Sequence, residues 1–259
     1  MSQISELIAF AQANGNLTKM FSLLKPLTRA YLMPYEIAIL ANYFKKKDVG
    51  LQSGVKLINQ DPSIYGRHLQ YRCYRDWFIR DLTESTLAEL KAKATSNKFS
   101  IPVECVIESI GTVGDPSSII RLKRPAQFVN QDLLTEGIPH SHAFVNMKLL
   151  TSHYHHVRSP CAGVVKKIKL IPASESMFGK ASVTFVVIGS KHGDVGLMII
   201  GEAVVQDFES KITVGRELNA LDDLGNFAWG SQVVMLIPAD LAEIEAKKRR
   251  YYFVGDKVA

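Results

Sequence analysis

The stretch Ser182-Val183-Thr184-Phe185-Val186-Val187-Ile188-Gly189-Ser190 sets the fold class, together with Lys191-His192-Gly193-Asp194 and the run Gly196 to Val205 (GLMIIGEAVV) that follows. Both runs are short, apolar and rich in β-branched residues, and Gly and Asp punctuate them. That pattern reads as strands rather than as helices. Working outward, Ala162 to Leu170 and Gln232 to Ile237 carry the same signature. Upstream, Val103, Val106, Ile107 and Ile110 precede Gly111 and Gly114, and the character of the chain changes at Ser100.

Before Ser100 the periodicity is helical. Ile4, Leu7, Ile8 and Ala11 recur at i, i+3, i+4 and i+7 until Asn14-Gly15-Asn16 breaks the pattern. Leu17 to Phe44 is apolar, aromatic and basic, is cut by Pro26 and Pro34, and ends in Lys45-Lys46-Lys47. Two readings stay open for it: helices packed on the main domain with a solvated basic end, or an interfacial patch. In the second, Phe21, Leu24, Leu27, Tyr31, Leu32 and Tyr35 enter the headgroup zone while Lys19, Lys25, Arg29 and the triple lysine meet anionic lipid. Tyr71 to Leu82 (YRCYRDWFIRDL) is expected to continue as a helix through Thr86 to Thr95, and Ala239 to Arg250 to form a terminal helix. The expected fold class is α+β, with an N-terminal helical region over 1–95 and a β-rich body with a terminal helix over 96–259.

Composition narrows the function classes. The 259 residues are 47% hydrophobic and 22% charged, a globular balance that excludes a disordered or collagen-like chain. A net charge of +6 suits an anionic partner without choosing one. Cys73, Cys105 and Cys161 are odd in number and far apart, which argues against a disulfide framework or a cysteine zinc site and suits a reducing compartment. No apolar run is long enough to span a bilayer, and no basic n-region precedes an apolar one, so a soluble or peripheral protein is expected.

Five of the seven histidines fall in one stretch: His140, His142, His153, His155 and His156. Paired on strands, they could hold a divalent metal, although hydrogen-bonded structural histidines are the commoner outcome. Near the C-terminus stands Gly225-Asn226-Phe227-Ala228-Trp229-Gly230-Ser231, just before an expected strand. No GxSxG elbow, Walker loop or GxGxxG occurs.

Taken together, these segments resemble the phosphatidylserine decarboxylase family over roughly Trp77 to Pro238. Tyr74 to Leu82 is similar to its F-x-x-F-F-x-R-x-L stretch, and Ile101-Pro102-Val103-Glu104-Cys105-Val106-Ile107 to its P-A-D-G-x-[IV] segment. Tyr154 to Gly163 resembles D-Y-H-R-x-H-x-P-x-x-G. Gly201 to Glu209 sits where the family has V-G-A-x-x-V-G-S-I, and Gly225 to Ser231 fits G-x-F-x-x-G-S-T. The resemblance implies a chain that cuts itself between Gly230 and Ser231. Ser231 Oγ would attack the Gly230 carbonyl to give an ester, elimination would leave dehydroalanine, and hydrolysis would yield an N-terminal pyruvoyl group. The products would be a β chain of residues 1–230 and a 29-residue α chain of 231–259. It implies His155 as the base and Glu104 as the carboxylate that orients it. The covalent pyruvoyl cofactor made from Ser231 would be the electron sink for decarboxylation.

Several positions depart from the family pattern. Glu104 stands for Asp, Cys105 for Gly, His153 for Asp, Arg158 for the second histidine, and Gln232 for Thr or Ser; Gln206 and Asp207 replace Gly and Ser. The extra methylene of Glu104 shifts a carboxylate by about an ångström, worth on the order of 100-fold unless the backbone compensates. Arg158 suits a carboxylate or phosphate but is a poor proton shuttle. Arg158, His153 and His156 are therefore taken as substrate-binding candidates, with His153 or His156 as a source of the returned proton.

The expected activity is conversion of phosphatidylserine to phosphatidylethanolamine. Three alternatives remain: a soluble amino acid as substrate, a non-catalytic relative that binds lipid or a partner, and a β-rich metal protein. The implied partners are the substrate and an anionic membrane surface, with a homodimer and no nucleic acid. The implied place is the cytoplasm or the inner face of a membrane.

Overall fold

The computed structural model describes residues 61–66, 79–113, 115, 120, 142–150, 153–171, 182–201, 208–227 and 231–259. The expected helices over residues 4–44, the Lys45–Lys47 run and most of Tyr71–Leu82 lie outside them. Within them the chain is mostly β-sheet. The strands are β1 (Cys105–Thr112), β2 (Ala143–Lys148), β3 (His156–Arg158), β4 (Gly163–Ile171), β5 (Val183–Ser190) and β6 (Gly193–Gly201). They continue with β7 (Phe208–Ser210), β8 (Glu217–Leu218), β9 (Asp223–Phe227), β10 (Ser231–Ile237) and β11 (Tyr251–Tyr252).

Eight strands form one antiparallel sheet in the order β11-β1-β2-β10-β6-β5-β4-β8, and three form a second in the order β3-β9-β7. Ser190 pairs with Gly193, so Lys191-His192 is a two-residue hairpin loop, and Gly193 takes φ 104°, a value L side chains rarely adopt. The large sheet is apolar on both faces, which explains why its central strands read as continuous hydrophobic runs. On β10, Val233, Met235 and Ile237 enter one core with Val145, Met147, Leu197 and Ile199. Val234 and Leu236 enter the other with Phe144, Met198 and Ile200. Each such side chain fully buried contributes about 1.5–3 kcal/mol over leaving it exposed. The sheet, not the helical portion, therefore carries the stability of the described chain.

One α-helix occurs among the described residues, α1 (Glu84–Ala94). It matches the helix expected through Thr86 to Thr95, but it does not run on from Tyr71. Leu82 bridges to Tyr65, and Thr83, with extended backbone (ψ 154°), caps the helix by accepting from the Thr86 amide. Glu84 in the first turn and Lys91 and Lys93 in the last suit the helix dipole. Lys91 reaches Asp222 at 2.6 Å and Lys93 reaches Asp256 at 2.8 Å, tying α1 to the β body.

The terminal helix expected over Ala239–Arg250 does not form. The stretch holds one 3-10 turn, Leu241–Glu243, and then an irregular path. Its amides go outward instead of up a helix: Glu245 N–H to Val258 O, Lys247 N–H to Tyr252 Oη and Arg249 N–H to Ile107 O. Arg249 also has φ 61°, in the left-handed region. Tertiary hydrogen bonds outweighed a local propensity spoiled by four successive cations, Lys247 to Arg250.

Candidate functional site

Residues 99–104 run between two partners. On one side Val258 N–H donates to Phe99 O and Phe99 N–H to Ala259 O, while Ile101 N–H donates to Asp256 O and its carbonyl accepts from Gly255 N–H. On the other, Ser100 N–H donates to Pro160 O, and Arg158 N–H donates to Pro102 O. This double stitching buries Glu104 completely, just before β1. A buried carboxylate needs partners, and Glu104 has them. Its Oε2 accepts the Tyr154 amide at 2.6 Å and lies 3.8 Å from Nη2 of Arg80, which is equally buried. Its Oε1 accepts the Tyr251 hydroxyl at 2.8 Å. Arg80 is seated over the Tyr65 ring, 4.5 Å from its centroid.

The histidine segment crosses this corner. His153 Nδ1 lies 3.1 Å from both the Leu150 amide and Glu104 O; a given tautomer accepts from the first or donates to the second. The His153 ring meets Tyr251 edge-on at 5.7 Å. Tyr154 is fully buried, and Arg158 donates to its hydroxyl through Nε at 3.2 Å and Nη2 at 2.5 Å. Burial pushes the Tyr154 phenol well up, and the Arg158 charge offsets this only in part, so the phenol stays neutral. His156 stacks on Tyr154 at 5.0 Å. Its Nδ1 faces Asp223 Oδ2 at 3.3 Å, and its Nε2 faces Ile79 O at 3.1 Å and Asp81 Oδ1 at 3.2 Å. With both nitrogens engaged, His156 is held in place as a structural ring. Burial pushes Asp223 up, but the hydrogen bond and charge of His156, the charge of Arg158 and the bond to Lys211 bring it well below the usual carboxylate range.

His155 is also fully buried, and its carbonyl accepts the amide of Phe227, the last residue of β9. Four residues on, Ser231 opens β10 between β2 and β6, opposite Gly201. Gly230 lies outside the described residues. Two motif glycines have clear roles. A Cβ on Gly225, where φ is 144°, would meet Glu209 O at 2.2 Å. One on Gly163 would meet Gly189 O at 2.3 Å. Both are close backbone approaches that only glycine permits.

The structure thus gathers Glu104, His153 and Tyr154 at one corner. It sets His156 against the Tyr154 ring and Arg158 on the Tyr154 hydroxyl, and it ties the His155 carbonyl to the end of β9. Among the described residues no group of three or more His, Cys, Asp or Glu could hold a metal ion. His142 instead lies 3.0 Å from Asp194 O, and His140 is outside the described residues. Sequence reading missed Tyr251, Asp223 and the part played by Arg80. Arg80 sat in a quoted motif, but nothing in the sequence pairs it with Glu104. Tyr251 carried no signal, because it was expected to follow a helix.

A family model described as phosphatidylserine decarboxylase matches residues 74–259. A phosphatidylserine decarboxylase proenzyme of Geobacillus sp. (strain WCH70) is 26% identical over 197 residues, covering 68% of this chain and 72% of the relative. One from Geobacillus kaustophilus (strain HTA426) is 26% identical over 218 residues, covering 76% and 80%. A putative archaetidylserine decarboxylase proenzyme of Methanococcoides burtonii is 36% identical over 112 residues, covering 41% and 50%.

Proposed function

This chain belongs to the phosphatidylserine decarboxylase family, and we propose that it decarboxylates phosphatidylserine to phosphatidylethanolamine after cutting itself between Gly230 and Ser231. The observation that carries the reading is the buried Glu104, held by two hydrogen-bond donors and the Arg80 ion pair, and gripping the Tyr154 amide one residue from His155. A base that takes a proton from Ser231 needs a carboxylate fixed nearby to orient its ring and balance its charge. His155 is the base in this reading, and Glu104 its orienting group. The longer Glu side chain is no obstacle, because Arg80, Tyr251 and the Tyr154 amide fix both of its oxygens.

The residues present suit a pyruvoyl group derived from Ser231. Ser231 begins a central strand, with Gly201 as its register partner. The group supplies an electron sink for the carbanion left by loss of CO₂. The chain's own task is to bind and orient the substrate and to return a proton. Arg158 favours the lipid over a free amino acid. Arg158 is 6% exposed, and no carboxylate pairs with it directly among the described residues. Such a group suits an anion. Clamping the reacting carboxylate would stabilise the ground state as much as the transition state, so the phosphate is the better assignment. His153, beside Glu104, is the remaining candidate for the proton return, since His156 is bonded at both nitrogens.

The test is the intact mass of freshly purified protein under denaturing conditions, followed by CO₂ release from phosphatidylserine and from free amino acids. We expect a 29-residue fragment with a pyruvoyl terminus, and release from the lipid alone. A single 28.8 kDa species, stable on long incubation, would sink the self-processing reading. Release from a free amino acid would sink the lipid assignment.

A further inference from the structure

We infer that the loop Lys247-Lys248-Arg249-Arg250 is a docking element that sets the Tyr251 side of the Glu104 corner against an anionic lipid surface. All four residues are exposed and consecutive, and none has an ion-pair partner among the described residues. The cations around them differ. Lys93 is paired with Asp256 at 2.8 Å, Lys98 with Glu243 at 3.3 Å and Lys257 with Glu245 at 2.6 Å. The two acids nearest in sequence, Glu243 and Glu245, are therefore already engaged, and the loop keeps its four positive charges unneutralised.

The loop is also held firmly and in a telling place. Arg249 N–H donates to Ile107 O at 2.6 Å, Ile107 N–H donates to Arg250 O at 3.0 Å, and Lys247 N–H donates to Tyr252 Oη at 2.8 Å. Arg249 adopts φ 61°, a conformation that costs free energy and persists only because these bonds impose it. The next residue, Tyr251, is the one whose hydroxyl holds Glu104. The cations thus stand at the outer end of the contact that reaches the buried carboxylate.

The choice of a lipid surface over another polyanion rests on the neighbours and on the function proposed above. Tyr251 is 38% exposed and Leu150 is 41% exposed. They flank His153, which meets the Tyr251 ring and bonds Leu150 through the backbone. A leucine and a tyrosine beside four cations is the composition of an interfacial element, where apolar groups enter the headgroup zone and basic groups meet the negative charge. An RNA-binding groove gains nothing from an exposed leucine.

The test is sedimentation of the full chain with vesicles of phosphatidylcholine alone or with added phosphatidylglycerol, at low and high salt. Wild type is expected to bind the anionic vesicles and to be released by salt. Lys247→Gln/Lys248→Gln/Arg250→Gln should bind them on the order of 100-fold more weakly, about fivefold per charge removed. Lys93→Gln/Lys98→Gln/Lys257→Gln, which removes as many charges from paired positions, should lose far less, and Lys247→Arg/Lys248→Arg should bind as wild type does. Equal weakening in the two triple variants, or unchanged binding in the loop variant, would overturn the assignment. So would wild-type binding to single-stranded RNA without binding to the vesicles. Vesicle binding needs no turnover, and the intact mass of the same samples reports self-cleavage. The docking surface and the catalytic reading can therefore fail separately.

Discussion

A buried carboxylate, Glu104, and a half-buried one, Asp223, lie a few residues from one another's partners and are treated in opposite ways. Glu104 is fully enclosed, faces one guanidinium at 3.8 Å, and is otherwise held by a backbone amide and a tyrosine hydroxyl. Asp223 keeps a 22% exposed side chain and sits among His156, Lys211 and, farther off, Arg158. The Asp223 corner is over-supplied with positive charge, which fixes the carboxylate as an anion and deprives it of any basicity. The Glu104 corner combines one buried guanidinium with two directional donors, the Tyr154 amide and the Tyr251 hydroxyl. A carboxylate aimed by directional donors is what an adjacent histidine base requires, whereas one surrounded by cations serves to hold β3, β9 and the Lys211 turn together.

The sharpest way to break the contrast is Glu104→Gln. The amide is nearly the same shape but cannot balance an imidazolium on His155. Self-cleavage, followed as the appearance of the 29-residue fragment, should slow by on the order of 10³–10⁴-fold. Processing at the wild-type rate would reduce the Glu104 corner to a structural ion pair, no different in kind from Asp223.

Arg80→Met attacks the same corner through stability. Removing one partner leaves a fully buried carboxylate without its counter-charge, which costs about 3–5 kcal/mol. For a domain of this size that lowers the melting temperature by roughly 6–20 °C. Adding Glu104→Gln should recover much of the loss, because no buried charge then remains. A double variant that melts no higher than Arg80→Met would show that Arg80 matters through its stacking on Tyr65 and not through Glu104.

Tyr251→Phe is the gentler probe. Tyr251 is 38% exposed, and losing its hydroxyl leaves Glu104 held by the Tyr154 amide and Arg80. Processing should slow about tenfold while the fold is unchanged, in line with the roughly 1.5 kcal/mol of a hydrogen bond to a charged acceptor. An unaltered rate would leave the Tyr154 amide and Arg80 as the groups that aim the carboxylate.

Much of this architecture was legible in the residues, and the reasons for the rest are physical. The strands over 183–190, 193–201 and 231–237 announced themselves because both faces of the sheet are buried there, so most positions are apolar; 163–171 read as a strand from its β-branched residues although only Val165 of it is buried. Strands β3, β7 and β9 did not, because they are three to five residues long and carry His, Arg, Glu and Asp for the site. Glu104, His155 and Ser231 are candidates that motif spacing supplied, and a helix-or-strand pattern could not have given them. Tyr251 was hidden because the segment before it reads as a helix. Only the tertiary bonds from Arg249 to Ile107 and from Lys247 to Tyr252 turn it back along β1. Gly225 and Gly163 were visible as motif letters, and the structure supplies their reason in the carbonyls of Glu209 and Gly189 that a side chain would strike.

The smallest effect belongs to the other carboxylate, and its sign follows from linkage. Asp223 is drawn well below the ordinary aspartate value of about 3.9, so the folded chain binds that proton less readily than the unfolded chain does. The resulting stabilisation is complete above the unfolded value and disappears as pH falls through about 4 toward the depressed one. Asp223→Asn should therefore cost about 1–2 kcal/mol at neutral pH, discounted for the partial exposure of the side chain. Its stability should also fall less steeply than that of wild type below pH 4. Self-cleavage at pH 7 should stay within a few-fold of wild type, because the group anchors strands rather than a base. A large loss of processing with little loss of stability would mean that the two corners work as one network, linked through the stacked rings of His156 and Tyr154. Measuring denaturant midpoints and fragment formation on the same variant across pH 3–8 decides between these outcomes.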